Sequence, residues 1–259
     1  MKPDSHTDHA RAAAERLAQE PDAPSNPQAL TLPETLRDAS AVIFDLDGVL
    51  LESEQVWSAA KRELSLECGG LWTPQAEHDM LGMSSQEWSR YMRDKLALPL
   101  EPSEISASVA KLVASHYRDR LPLIAGADSA VRTLADRWPL GLASSSNRQT
   151  IDLVLDLTGW TGCFSATTSS EEVAAGKPAP DVYVETAGRL GATPGSCVAI
   201  EDSAVGIRSA CAAGLAVAAI PNRAYPPAAD VLGQADFVLG SLLELVDRVG
   251  QKASETRAT

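Results

Sequence analysis

Two pairs of carboxylates in this chain have a spacing that could do chemistry. Asp45 and Asp47 lie two apart behind the apolar run Ala41-Val42-Ile43-Phe44, with Gly48 next, and Glu201 and Asp202 follow Cys197-Val198-Ala199-Ile200 directly. Acids crowded at the end of an apolar segment repel one another, so a hard cation with oxygen ligands is their natural partner. Two further groups come between the pairs. Ser144-Ser145-Ser146-Asn147 offers hydroxyls ahead of a helical stretch whose first amides can hold an anion, and Lys177 is fixed between Gly176 and Pro178. Each also has a plainer use: a strand ending in Asp can enter a turn, a serine run can cap a helix, and a lone lysine is usually solvated.

The elements that must position these groups read as an α/β alternation. Short, continuously apolar runs suit strands of a parallel sheet buried on both faces, and they occur at 41–44, 139–143, 164–168, 197–200, 216–220 and 237–239. Helical periodicity separates them at 127–137, 148–157, 182–190 and 203–214, with Asp181 as the N-cap of the third. The fold expected is α/β, a Rossmann-like doubly wound parallel sheet. In such sheets the ligand crevice lies beyond the carboxyl ends of the strands, where all four groups fall.

One long insertion interrupts the alternation. Apolar residues at three-to-four spacing mark helices at 56–68, 73–81, 85–96 and 103–121, broken by Gly69-Gly70, Gly82 and 99–102. The expected organisation is a flexible extension over 1–37, a core over 38–52 and 122–250, a helical insertion over 53–121 and a frayed tail over 251–259. Trp57, Trp72, Trp88 and Tyr91 are concentrated in the insertion and read mostly as its core, while Trp57 is near enough to the Asp45 loop to face a ligand.

Composition bounds the partners. A formal charge of −13 repels nucleic acid and anionic membranes, so neither is expected as a partner and an anionic ligand needs a local cationic pocket. Cys68, Cys163, Cys197 and Cys211 show no close pairing or metal-ligand spacing, and His6 and His9 lie in the acidic extension, which implies free thiols and solvated imidazoles. With no membrane-length apolar run and no signal-peptide core at the N-terminus, a cytoplasmic monomer is expected.

Asp45-Leu46-Asp47-Gly48-Val49-Leu50 resembles the first motif of the haloacid dehalogenase superfamily, whose members are mostly magnesium-dependent phosphatases and phosphomutases. The resemblance extends in the family's order through Ser144, Lys177 and Glu201-Asp202-Ser203, across roughly residues 40–240. It implies that Asp45 is the nucleophile and Asp47 the acid/base, that Ser144 binds the transferring phosphoryl group, and that Lys177 offsets charge on both. It also implies magnesium held by Asp45, the Asp47 main chain and Asp202, with Glu201 near the metal, and phosphoester contacts from Ser145, Asn147, Trp57 and Ser85. The helical insertion is similar in place and size to the cap of the beta-phosphoglucomutase-like subgroup. Trp57 stands where mutases carry a histidine and Ser85 where they carry a sugar-phosphate-binding arginine, while Ser53-Glu54-Gln55-Val56-Trp57 is similar to phosphatases of the subgroup. Glu52 and Ala125 depart from the usual Asp and Pro. The activity implied is hydrolysis of a small phosphate ester, plausible as a sugar phosphate, with a hexose-phosphate mutase and a non-catalytic binding protein as the alternatives.

Overall fold

The computed structural model describes residues 31–80, 83–223 and 225–255. Six parallel strands form one sheet in the order β3-β2-β1-β4-β5-β6. They are β1 (Ala41–Phe44), β2 (Leu140–Ser144), β3 (Phe164–Ser169), β4 (Cys197–Glu201), β5 (Ala216–Ala219) and β6 (Phe237–Val238). β1, β2 and β4 are buried at every residue, as their unbroken apolar runs demand. Alternate side chains of β1 feed opposite cores: Val42 and Phe44 enter one apolar cluster, Ala41 and Ile43 the other. The chain builds outward from β1 in one direction through β2 and β3 and in the other through β4 to β6. The switch between directions therefore falls at β1 and β4, where such sheets open a crevice.

Helices cover both faces. α1 (Leu32–Asp38), α6 (Ala127–Ala135), α7 (Arg148–Thr158) and α11 (Leu242–Glu255) serve one cluster, and α8 (Asp181–Arg189), α9 (Ala204–Ala213) and α10 (Ala229–Leu232) the other. The cap consists of α2 (Glu54–Glu67), α3 (Pro74–Asp79), α4 (Ser85–Leu96) and α5 (Pro102–Asp119). α5 packs against both α2 and α4. Two linkers tie cap to core side by side: Leu51 bridges Leu123 antiparallel, Glu52 N donates to Pro122 O at 2.8 Å, and Ile124 N donates to Leu50 O at 3.0 Å. That pairing aims the start of α2 at the end of β1.

Three boundaries differ from the sequence-based expectation. The extension over 1–37 lies outside the described residues up to residue 30, but α1 follows, and its Leu32 and Leu36 are each 1% exposed in the core. A single apolar pair four residues apart packs one helical turn but is too short to show a period. α8 begins at Asp181 with Pro180 at the N-cap, and the Asp181 side chain caps nothing. α11 continues to Glu255, past the point where a frayed tail was expected. Residues 256–259 and Gly82 lie outside the described residues. The four cysteines are free. Among the described residues no helix is long and apolar enough to cross a membrane.

Candidate active site

β1 ends by handing its backbone to β4: Asp45 N donates to Ile200 O at 3.0 Å, which sets Asp45 beside the Glu201-Asp202 pair. The chain then coils tightly, with Leu50 N and Leu51 N both donating to Leu46 O. Gly48 makes this possible. Its φ of +91° is open to glycine, and a Cβ there would overlap the Asp202 carboxylate.

The floor of the site is a network of charge. Lys177 Nζ donates to Asp45 Oδ1 and to Glu201 Oε1, each at 2.6 Å. Tyr183 OH donates to the same Glu201 oxygen at 2.6 Å, and the Lys177 ammonium lies 5.0 Å from the Tyr183 ring centroid. Glu201 Oε2 accepts from the backbone amides of Asp202 and Ser203 at 3.0 and 3.4 Å and from Ser203 Oγ at 3.3 Å. Glu201 is thus satisfied at both oxygens, and a Cβ on Gly206 would collide with its carboxylate. Asp47 faces the other way, accepting from Ser53 Oγ at 2.5 Å and from Ser146 Oγ at 2.7 Å.

Asp202 is different. Its Oδ1 is buried and has no hydrogen-bond partner among the described residues. Carboxylate oxygens of Asp45, Glu201 and Asp202 lie within 4.8 Å of one another, an all-oxygen donor set of the kind magnesium takes. Burial above all, then Glu201 and Asp45, holds the Asp202 carboxyl well above the usual range, against Lys177 and a hydrogen bond from Asn222. Burial likewise pushes Asp45 up to about 8; Lys177 pulls down, while Glu201 and Asp47 push further up. Burial disfavours the Lys177 ammonium, yet attraction from Asp45 and Glu201 outweighs it and its pKa is raised. Acids held above their ordinary range around an orphaned oxygen are short of positive charge, so these residues fit a divalent cation.

The cap closes over this floor to leave a cleft of about 1170 Å³. From the cap come Glu54, Trp57, Lys61, Met80, Met83, Ser85 and Trp88; from the core come Asp45, Asp47, Ser145, Ser146, Lys177 and Asp202. Trp57 and Trp88 lie against each other with ring centroids 6.1 Å apart.

The structure brings most of the residues singled out in the sequence to this cleft. Asp45, Asp47, Lys177 and Asp202 line it, as do Trp57, Ser85 and Ser145, with Glu201 fully buried just behind. Two lie behind its surface. Ser144 is fully buried, its Oγ accepting from Ser146 N at 2.9 Å and donating to Asp47 Oδ2 at 3.4 Å, while Ser145 and Ser146 line the cleft itself. Asn147 spends its side chain as the N-cap of α7, accepting from Thr150 N at 2.8 Å. Sequence reasoning passed over Ser53, Ser146, Lys61 and Tyr183. Ser53 and Ser146 sit inside strings already singled out. Tyr183 and Lys61 carried no signal, since one reads as a helix core residue and the other as surface.

Comparison with known proteins places the arrangement. A family model described as haloacid dehalogenase-like hydrolase matches residues 39–214. Hexitol phosphatase B of Escherichia coli strain K12 is 33% identical over 82% of this chain and 96% of its own length. A bifunctional riboflavin kinase/FMN phosphatase of Arabidopsis thaliana is 32% identical over 80% of this chain, which spans only 54% of that longer protein. Among solved structures, CbbY from Rhodobacter sphaeroides in complex with phosphate superposes with a TM-score of 0.71 at 25% identity, covering 80% of this chain and 96% of that one. A beta-phosphoglucomutase from Clostridium difficile, at 20% identity and a TM-score of 0.69 over 85% of this chain and 100% of its own, shares the fold. The family model runs from the first strand through the acid pair, and with these relatives it assigns the chain to the haloacid dehalogenase-like hydrolases, as a phosphoric monoester hydrolase.

Proposed function

We propose that this enzyme is a magnesium-dependent phosphatase that releases phosphate from a small phosphorylated metabolite, of the sugar-phosphate class, through an aspartyl-phosphate on Asp45. The observation that carries this reading is how the two aspartates are held: Asp45 is pinned by Lys177 at 2.6 Å, and Asp47 is turned away from it by Ser53 and Ser146. Two carboxylates on one turn thereby acquire separate environments, as a nucleophile and a proton carrier need.

Magnesium, held by Asp45, Asp202 and the Asp47 main-chain carbonyl with Glu201 beside it, would neutralise charge on the phosphoryl oxygens. In the first half-reaction Asp45 forms a bond to phosphorus as the ester bond breaks, and protonated Asp47 gives its proton to the departing alcohol oxygen. In the second, Asp47 takes a proton from water, whose oxygen bonds to phosphorus while the bond to Asp45 breaks. Lys177 lies against Asp45 and offsets the charge that nucleophile and phosphoryl group bring together. Ser145 and Ser146 stand at the cleft beside Asp47, where hydroxyls can orient the phosphoryl oxygens.

Two relatives support the substrate class, one named a hexitol phosphatase and one a fructose-1-phosphate phosphatase. Water rather than a second sugar is the acceptor in this reading, because Trp57 and Ser85 stand where a mutase would need a titratable cap group and an arginine. A screen of phosphorylated metabolites for phosphate release tests the activity. Incubation of beta-glucose 1-phosphate with enzyme, magnesium and a trace of glucose 1,6-bisphosphate, followed by phosphorus NMR, tests the acceptor. Inorganic phosphate should form first; glucose 6-phosphate appearing faster would assign the mutase.

A further inference from the structure

Tyr183 lies in the first turn of α8, shortly after Lys177, and the loop between them is tied down where Ser209 Oγ on α9 donates to Ala179 O at 2.6 Å. The ring is fully buried in the apolar cluster that holds Val182, Ala187 and Ile207, a place that a phenylalanine would fill equally well. The hydroxyl is what needs a reason. Burying it costs free energy unless it is hydrogen-bonded, and it donates to Glu201 Oε1 at 2.6 Å. Lys177 Nζ donates to the same carboxylate oxygen at 2.6 Å and to the phenol oxygen at 3.4 Å, so ammonium, phenol and carboxylate form a closed triangle.

The triangle decides which carboxylates of the acid cluster are left to a cation. Asp45, Glu201 and Asp202 each offer an oxygen within 4.8 Å of the others. An ionised carboxylate has about four acceptor positions. Those of Glu201 are filled: Lys177 and Tyr183 take Oε1, and the amides of Asp202 and Ser203 with Ser203 Oγ take Oε2. α9 walls the group on another side, since a Cβ on Gly206 would collide with it. Asp202 Oδ1, by contrast, has no hydrogen-bond partner among the described residues. The difference bears on ion choice, because magnesium keeps several waters and takes few protein oxygens, whereas calcium takes about six to eight oxygens and gains from each added carboxylate.

We propose that Tyr183 is a positioning residue for the cation site: by holding Glu201 Oε1 together with Lys177, its hydroxyl keeps that carboxylate out of the coordination sphere and thereby favours magnesium over calcium. Without the hydroxyl, Oε1 keeps one donor, Lys177, and a cation can supply the other. Tyr183 acts through Glu201 and needs no contact with the ion or the ester. This inference rests on the magnesium-dependent phosphatase reading given above and adds how the chain's own residues select the ion.

The test uses the metal-free full chain and Tyr183→Phe, which keeps the ring whose centroid lies 5.0 Å from the Lys177 ammonium. Isothermal titration with magnesium and with calcium reads the two Kd values without turnover. Tyr183→Phe should tighten calcium relative to magnesium by about tenfold, the size expected for a lost hydrogen bond to a charged group. In a Glu201→Gln background the same substitution should leave the ratio of the two Kd values unchanged, because the oxygen that the hydroxyl restrains no longer carries charge. Glu201→Gln alone should weaken both ions alike, and a change in their ratio would put Glu201 in the coordination sphere of the wild type and overturn the proposal. An unchanged ratio in Tyr183→Phe, or equal weakening of both ions with a lower melting temperature, would leave the hydroxyl a packing group and overturn it as well. Hydrolysis of p-nitrophenyl phosphate by the wild type with magnesium is followed in parallel. A chain that shows the expected ratio shift but hydrolyses no ester would remove the phosphatase reading and leave the role of Tyr183 standing.

Discussion

The floor and the roof of the cleft are built on opposite plans. On the floor, Asp45, Asp47, Lys177 and Glu201 are each tied to at least one hydrogen-bonding partner, and the one loose end, Asp202 Oδ1, sits where a cation would take it up. In the roof, Trp57, Met80, Met83 and Trp88 present apolar surface, and the Lys61 ammonium lies over the Trp88 ring. Rigid charge held by neighbouring strand ends suits a reaction whose demands do not vary. A sparse wall on an inserted helical cap suits selection, because substitutions there leave the residues of the floor in place. The two linkers, paired at Leu51 and Leu123, join the two parts side by side.

Substitutions can break or sharpen this contrast. Asp47→Asn should lower kcat by about 10²–10⁴-fold with little change in melting temperature, because an amide between Ser53 and Ser146 keeps its contacts but cannot shuttle a proton. Steady-state kinetics beside a thermal melt would check it, and a loss smaller than tenfold would take the proton step away from Asp47. Gly206→Ala attacks the floor through packing. Its methyl group meets the Glu201 carboxylate, so it should cost about 1–3 kcal/mol by denaturant melts and also reduce kcat as Glu201 and Lys177 shift.

Metal-free protein offers a third test. Asp45 is raised from 3.8 to about 8, first by burial, so the folded chain holds that proton more tightly than the unfolded one. Stability from this group is fully present below 3.8 and is lost as pH rises through about 8. The melting temperature of chelated protein should therefore fall across that window, and saturating magnesium should restore it by several degrees near the upper end. No effect of magnesium there would remove the cation from the acid cluster. The smallest effect belongs to the roof. Trp57→Phe should shift relative kcat/KM among esters by less than about tenfold while sparing p-nitrophenyl phosphate, and an equal loss on every ester would place Trp57 with the floor.

Much of the floor was legible because burial leaves a strong trace in sequence. Runs such as 41–44 and 197–200 have no polar residue to mark a solvent face, so the acids that end them stand out, and the sheet order then requires them to meet. The cap was legible as helices for the same reason of period. What escaped was assignment within a run: Ser144, Ser145, Ser146 and Asn147 share similar chemistry, and only the turn into α7 decides that Ser146 reaches Asp47 while Asn147 caps the helix. Lys61 escaped because a lysine on a helix reads as solvated until a neighbouring helix brings Trp88 over it. Tyr183 has apolar neighbours at helical spacing, and nothing in its sequence context tells that its hydroxyl meets Glu201. Leu32 and Leu36 are too few to show a period, yet enough to dock a turn.

The central claim is that Asp45 carries the phosphoryl group. Wild-type enzyme mixed with a turned-over ester and magnesium, quenched in acid and mapped by peptide mass spectrometry, should show a phosphoryl adduct on the peptide containing Asp45. The Asp45→Asn variant should show none and should release no phosphate. An adduct confined to another residue, or phosphate release by Asp45→Asn at the wild-type rate, would contradict the account.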